Sequence, residues 1–446
     1  MNAHSDIKLS ASIAKADPRP PSAVSSAVGF VGLAGLAIAV AIGRLTGANG
    51  PLSSMLAVVA CGVPMVLWSL FVDKVWRNPT TGLDWDRPAR SHDETREISI
   101  AKLAGLWATW CIIAATYCIF RFYWDGQYLF SMRILAWSAP VLFVVSVPYI
   151  FWIDRRLTEP RDGAYMFGAW LTNADNKIDN DKIAHHFRNW TVKGFFTAFM
   201  ISIVPGNWFE VLRWSNAEIL SQPVALAWFL IALLFLIDVA FATVGYILTM
   251  RPLDAHIRSA NPYAQGWAAA LICYPPFILM SGGPLDYTIN TAGEDGWAHW
   301  LAAYPAALPV IGAILVALTA IYAWATVAFG IRFSNLTHRG VMTHGPYRFT
   351  RHPAYLAKNS FWWLATMPFI ATTGNPVDMI RNTALLALVS GVYYWRAKTE
   401  EKHLMADPAY QEYWHWMERN APVPRFFAKL TGREAKPMTP AAPPVE

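Results

Sequence analysis

Ten stretches of this chain are apolar over about the 17 to 25 residues that a helix needs to cross some 30 Å of hydrocarbon, and no other feature limits the fold as strongly. They lie near residues 26–43, 51–72, 103–120, 134–153, 191–212, 223–249, 266–282, 305–329, 354–372 and 380–395. With a hydrophobic content of 55% and 22 tryptophans in 446 residues, the chain reads as polytopic membrane protein and not as the soluble domains its length alone would allow. The expected fold class is all-α, with about ten transmembrane helices. The seventh stretch is the least regular, because Pro275 and Pro276 interrupt it and Gly282-Gly283-Pro284 closes it. Such a break is tolerated where neighbouring protein satisfies the freed carbonyls.

Charge orients these spans. Of 36 Lys and Arg residues, 29 fall on the side shared by both termini and 5 on the other. The positive-inside rule then makes both termini cytoplasmic, in the inner membrane if the cell is bacterial. Dropping the seventh span would invert every later loop, so the count supports keeping it. The same distribution accounts for the net charge of +6 without a nucleic-acid partner. Four segments follow: a disordered cytoplasmic tail over 1–25, an N-terminal region of about seven helices and unknown role over 26–300, a C-terminal core over 301–430 and a disordered tail over 431–446. The first span is longer than a signal-peptide core, so no cleaved leader is expected.

Several chemistries are disfavoured on spacing. Cys61, Cys111, Cys118 and Cys273 lie inside apolar runs and read as small buried hydrophobes. Asp175, Asp179 and Asp181 precede His185-His186, but the loop lacks the glycine a calcium site needs at its sixth position, so no metal is expected. The scattered histidines do not match a di-iron oxidase, and no Gly-x-Gly-x-x-Gly turn marks a dinucleotide domain. Asp238, at membrane depth, is expected to face protein or water.

Chemistry concentrates in two polar clusters. Gly340 to Tyr355, between spans eight and nine, is too polar to cross a bilayer. Beyond span ten comes Arg396-Ala397-Lys398-Thr399-Glu400-Glu401. Spans nine and ten form a hairpin, so its two ends lie side by side and the clusters meet. Arg396 and Glu400, spaced i, i+4, share a helix face, while Glu401 is turned about 100° from Glu400 and, with Tyr393 or Tyr394, is directed at the first cluster. Carboxylates, arginines, histidines and aromatic faces in a half-apolar pocket suit a zwitterionic ligand with a cationic centre.

The pattern Gly345-Pro346-Tyr347-Arg348, then Arg351-His352-Pro353 and Tyr355, a hairpin, Glu400-Glu401, then Tyr410, Tyr413 and Val423-Pro424-Arg425 resembles the isoprenylcysteine carboxyl methyltransferase and phospholipid methyltransferase superfamily. The resemblance covers about residues 305–428. It implies a membrane methyltransferase that binds S-adenosylmethionine at the cytoplasmic ends of the hairpin, with a lipophilic acceptor arriving from the bilayer. It further implies cofactor contacts at His344, Gly345, Tyr347, Arg351, His352, Pro353, Tyr355, Arg396, Glu400 and Glu401. Glu401, His352 and Arg396 are the catalytic candidates, Glu401 or His352 as base if the acceptor is an amine or a hydroxyl. Ala354 and Ala357 stand where the family commonly has a larger apolar residue and a glycine, and Lys358-Asn359 adds polar groups at the start of span nine. Competing readings are an NADPH-dependent membrane reductase of the sterol-reductase type, a transporter or scaffold that keeps the fold, and an interfacial Arg/Tyr/Trp belt that only anchors helices.

Overall fold

The computed structural model describes residues 19–288, 296–370 and 375–432. The outer parts of both expected tails, 1–18 and 433–446, lie outside the described residues. The fold is all-α, and among the described residues seven helical segments are long and apolar enough to cross a membrane. They begin with α1 (Ser26–Thr46), α2 (Pro51–Leu67), which continues as a wider turn to Val72, α3 (His92–Phe120) and α4 (Leu129–Asp154). The short α5 (Gly163–Thr172) precedes α6 (Asn180–Leu212), and α7 (Asn216–Ser221) leads into α8 (Pro223–Ile247). After α9 (Ala264–Leu271) and α10 (Gly296–Trp300), α11 (Ala307–Phe329) is the last of the seven.

The expected seventh span is not a continuous helix. After Leu271 the chain proceeds through turns past Pro275 and Pro276, which have no N–H to extend a helix. Its described flanks nonetheless lie at opposite ends of the C-terminal helical pair. Asn261, just before α9, donates to the Thr399 carbonyl, whereas Gly296 at the start of α10 abuts the carbonyl of Ala365, near the far end of α12 (Pro353–Thr366). The irregular stretch is backed by protein: Cys273, Met280, Leu285 and Tyr287 pack against Leu386, Val389 and Tyr393. That backing is what non-helical chain at membrane depth requires. The expected ninth and tenth spans are the 14-residue α12 and the 29-residue α13 (Pro376–Leu404), followed by α14 (Pro408–Asn420) and the amphipathic α15 (Pro422–Thr431).

Buried faces of α1, α2, α6, α8 and α11 meet in one core that includes Leu36, Met65, Trp208, Phe241 and Val327. Helices α3 and α5 approach so closely that a Cβ on Gly168 would fall 1.7 Å from the Ala101 carbonyl oxygen. Of the cysteines, Cys61 is buried as expected, but Cys111 and Cys118 are exposed on α3, on the apolar surface the bundle turns outward.

One end of the bundle gathers the polar loops. Asp254 accepts from Arg332 Nη2 at 2.8 Å, Asn78 Nδ2 at 3.0 Å and Thr80 Oγ1 at 2.7 Å, joining three loops far apart in sequence. Arg339 spends its guanidinium on carbonyls left open where α8 and α11 end: Gly245, Leu248 and Ala255 on one side, Ile331 and Phe333 on the other. A two-residue ladder, β1 (Ser259–Ala260) with β2 (Thr337–His338), ties the same loops. Residues 19–25, which composition assigns to a disordered tail, are docked here as well. Ala23 N donates to the Val341 carbonyl, Ser25 Oγ to Asp73, and Arg19 lies over the Trp416 ring. Backbone hydrogen bonds to a buried loop outweigh the local polarity that argued for disorder.

Asp254→Ala removes the partner of a buried guanidinium, which generally costs about 3–5 kcal/mol. Denaturant unfolding in detergent is expected to show a loss of that order, and a loss below about 1 kcal/mol would mean the hub is not structural.

Candidate functional site

The two polar clusters meet as the hairpin requires, and they wall a single cavity with α11 and the loop after it. Pro353 opens α12, where its missing N–H costs nothing, and this sets His352 and Tyr355 at the helix mouth. Glu401 is the joint. Its Oε1 accepts from Arg351 Nε at 2.9 Å and lies 2.9 Å from His352 Nε2, while Oε2 accepts from Lys398 Nζ at 2.8 Å. Burial alone would raise the pKa of this carboxyl. The hydrogen bond and charge of His352, with Arg351 and Lys398, override burial and hold it well below the usual carboxylate range.

Glu400 is disposed differently. Its Oε1 accepts from the Tyr355 hydroxyl and from Arg396 Nε at 3.3 Å, the i, i+4 pair anticipated from spacing. Among the described residues nothing bonds to its Oε2. Arg396 is buried among rings, with Tyr274, Tyr355 and Tyr393 centroids 5.5, 5.3 and 6.0 Å from its guanidinium carbon, and it donates to Asn335 Oδ1 at 2.6 Å. The His352 and Tyr355 rings stack with an interplanar angle of 10°. Arg351 reaches Glu418 Oε1 at 2.6 Å through Nη2 and stands over Trp414, yet its Nη1 is buried with no hydrogen-bond partner. A buried N–H left open beside a cavity is a ready donor for a ligand.

The expected residues therefore divide. Tyr347, Arg351, His352, Pro353, Tyr355, Arg396 and Glu400 line the cavity, whereas His344, Gly345 and Glu401 do not. His344 turns to the docked N-terminal stretch, its Nδ1 2.6 Å from Ser22 Oγ. Gly345 has φ +60 and shapes the turn beside Trp324. Asp238 is not part of the cavity wall, but Tyr322, which donates to its Oδ2 at 2.8 Å, and Thr326, which donates to Oδ1, are. The aspartate thus fixes two lining side chains. In the 154–190 loop, Asp175 accepts from Tyr165 and from the Lys177 N–H, His185 meets the Arg258 carbonyl and His186 meets Thr109, so each is engaged by protein.

Sequence reasoning missed Tyr274, Tyr322, Asn335, Lys358 as a lining residue, and His403. Their signals are faint: Asn335 stands alone in a loop, Tyr274 abuts the proline pair, and Tyr322 is one aromatic in an apolar run. His403 Nε2 lies 2.9 Å from Ser259 Oγ. Burial, and then the neighbouring His338 and His185, lower its pKa to about 4.

A family described as a protein of unknown function, DUF1295, matches residues 284–416, which takes in both clusters and the hairpin. No curated protein and no solved structure matches the chain.

Because His403 stays neutral in the fold, the unfolded chain takes up its proton first as pH falls. That linkage drains stability from about pH 6.5, the unperturbed histidine value, down to about 4. His403→Gln is expected to flatten the fall in melting temperature across this window relative to wild type, and unaltered pH dependence would contradict the assignment.

Proposed function

We propose that the protein is a membrane-embedded methyltransferase that uses S-adenosylmethionine and acts on a lipophilic acceptor. The observation that carries this reading is one cavity at the end of a membrane hairpin that offers a carboxylate oxygen, an idle arginine N–H and several aromatic faces together. Glu400 Oε2 is available to an ammonium group, Arg351 Nη1 to a carboxylate, and the rings of Tyr274, Tyr355 and Tyr393 to an adenine base and a sulfonium. These residues fit the zwitterion with its cationic centre. When bound, S-adenosylmethionine supplies an activated methyl group.

What the chain contributes is orientation and exclusion of water. Glu401 serves here as a positioning residue: engaged by Arg351, His352 and Lys398 and held ionised, it is too weak a base to accept a proton from an acceptor. His352 commits Nε2 to Glu401, which fixes its ring against Tyr355. Arg396 holds Glu400 in register. The loops rich in Lys and Arg lie at the site's end of the bundle, and the positive-inside rule puts that end in the cytoplasm.

A cofactor with several phosphates finds few open donors on this part of the wall: Arg332 donates to Asp254 and to the Arg339 carbonyl, and both terminal nitrogens of Arg339 go to backbone carbonyls, which leaves its Nε.

The test is a thermal-shift titration of the purified protein in detergent with S-adenosylhomocysteine and, separately, NADPH. A ligand specific for the native state raises the melting temperature with its concentration. S-Adenosylhomocysteine is expected to do so and NADPH is not, with Glu400→Ala weakening the response roughly ten-fold, as loss of a charge-assisted hydrogen bond entails. Stabilisation by NADPH alone would overturn the methyltransferase reading.

A further inference from the structure

The helix that ends the described chain, α15, presents cations and large apolar side chains on one outward face. Between Asn420 and Gly432 stand Arg425 and Lys429 and no acid. Pro422 opens the helix and Gly432, at φ +63, closes it. Val423, Pro424 and Ala428 are partly buried, whereas Arg425, Phe426, Lys429 and Leu430 are exposed, Phe426 by 60% and Leu430 by 67%. The i, i+4 spacing aligns Arg425 with Lys429 and Phe426 with Leu430, so a basic ridge runs beside an apolar one. Among the described residues no carboxylate forms an ion pair with either cation.

Its position is set through α14. A single residue, the buried Ala421, joins the two helices and packs with Val341, Tyr410, Tyr413 and Met417. On α14 the Tyr413 hydroxyl donates to the Tyr347 carbonyl at 2.8 Å, just ahead of the entry to α12. There Phe349, 51% exposed, and Leu356, 40% exposed on the first turn of α12, open apolar surface outward. So α14 docks where the chain passes from polar loop to apolar helix, and α15 starts one residue beyond it. The same α14 carries Trp414 and Glu418, which hold Arg351 on the cavity wall.

We infer that α15 is a docking face for anionic phospholipid, with Phe426 and Leu430 entering the acyl boundary of the adjacent leaflet and Arg425 and Lys429 meeting its phosphates. A helix with large apolar side chains beside basic ones lies in such an interface, held by buried apolar area and by attraction to anionic lipid. Each basic residue near an anionic leaflet strengthens binding about five-fold, so the pair supplies roughly thirty-fold. The absence of an acid leaves that attraction unopposed. A bilayer uses both ridges at once and already lies beside the base of α14, whereas a protein partner would need an acidic and apolar surface of matching shape. No cofactor or acceptor enters the inference, so it stands apart from the methyltransferase reading.

The experiment places the full chain in nanodiscs of phosphatidylcholine alone or with one quarter phosphatidylglycerol, and follows hydrogen–deuterium exchange in peptides covering 421–432. Exchange is expected to be roughly ten- to thirty-fold slower with phosphatidylglycerol, the attraction of two basic residues. Raising the salt from about 50 mM to about 0.5 M should remove most of that difference, because surface charges are screened. Arg425→Gln with Lys429→Gln is expected to abolish the dependence on lipid charge, and Phe426→Ser with Leu430→Ser to weaken protection in the anionic discs. Equal exchange of the wild type in both lipids, the result for a face that awaits a protein partner, would overturn the inference. So would either double variant responding as the wild type does. The lipid comparison on the wild type decides the matter even if a variant fails to fold.

Discussion

A single buried carboxylate holds the two halves of the site together. Glu401 sits on α13 and its partners Arg351 and His352 sit across the hairpin at the start of α12, so the relative position of two helix ends rests on one side chain and its cations. The pairing is nearly water-free at the carboxylate, whose side chain is 8% exposed. Removing one member would strand charge at the joint, which is why breaking buried pairs is costly even where forming them gains little. Lys398 on the neighbouring oxygen and Glu418 on the far side of Arg351 extend the pairing into a short chain that reaches α14. Glu401 therefore acts at one remove from the cavity, orienting the groups that face it.

That joint is set on a second frame. Asp254 binds Arg332 and two side chains of the 73–91 loop, and Arg339 closes the carbonyl ends of α8 and α11. Both arginines come from the ten residues before the first cluster, so the chain is anchored just before it enters the site. The N-terminal stretch completes the frame by pairing Ala23 with Val341 and Ser22 with His344. Helices α1, α2, α6 and α8 thus share a core with α11 and with Met342 just ahead of the hairpin, and Asp238 on α8 fixes Tyr322 and Thr326 on the cavity wall.

Much of this is legible in the sequence where the signal is local. Long apolar runs give the helices, and the i, i+4 spacing of Arg396 and Glu400 gives their contact. The hairpin between the clusters gives the meeting of Glu401 with Arg351 and His352. What is not legible depends on tertiary placement. The expected seventh span keeps the hydropathy of a span but loses its helix to Pro275 and Pro276, and hydropathy does not register backbone hydrogen bonds. Asn335 and Tyr274 reach Arg396 from irregular segments whose paths no periodicity sets. Residues 19–25 have the composition of a free tail, yet Pro20 and Ser22 are held by Thr343 and His344, more than 300 residues away. Glu401, which the turn of about 100° from Glu400 directs at the first cluster, meets Arg351 and His352 there, but that only Glu400 of the two lines the cavity is set by tertiary placement.

The central claim is that residues on both sides of the hairpin form one ligand site. Hydrogen–deuterium exchange of the detergent-solubilised protein, with and without saturating S-adenosylhomocysteine, tests it most directly. The account predicts slower exchange in peptides covering both 340–355 and 393–404, with little change in α3 to α5. Protection of only one of these segments, or of neither while the ligand binds elsewhere, would contradict it.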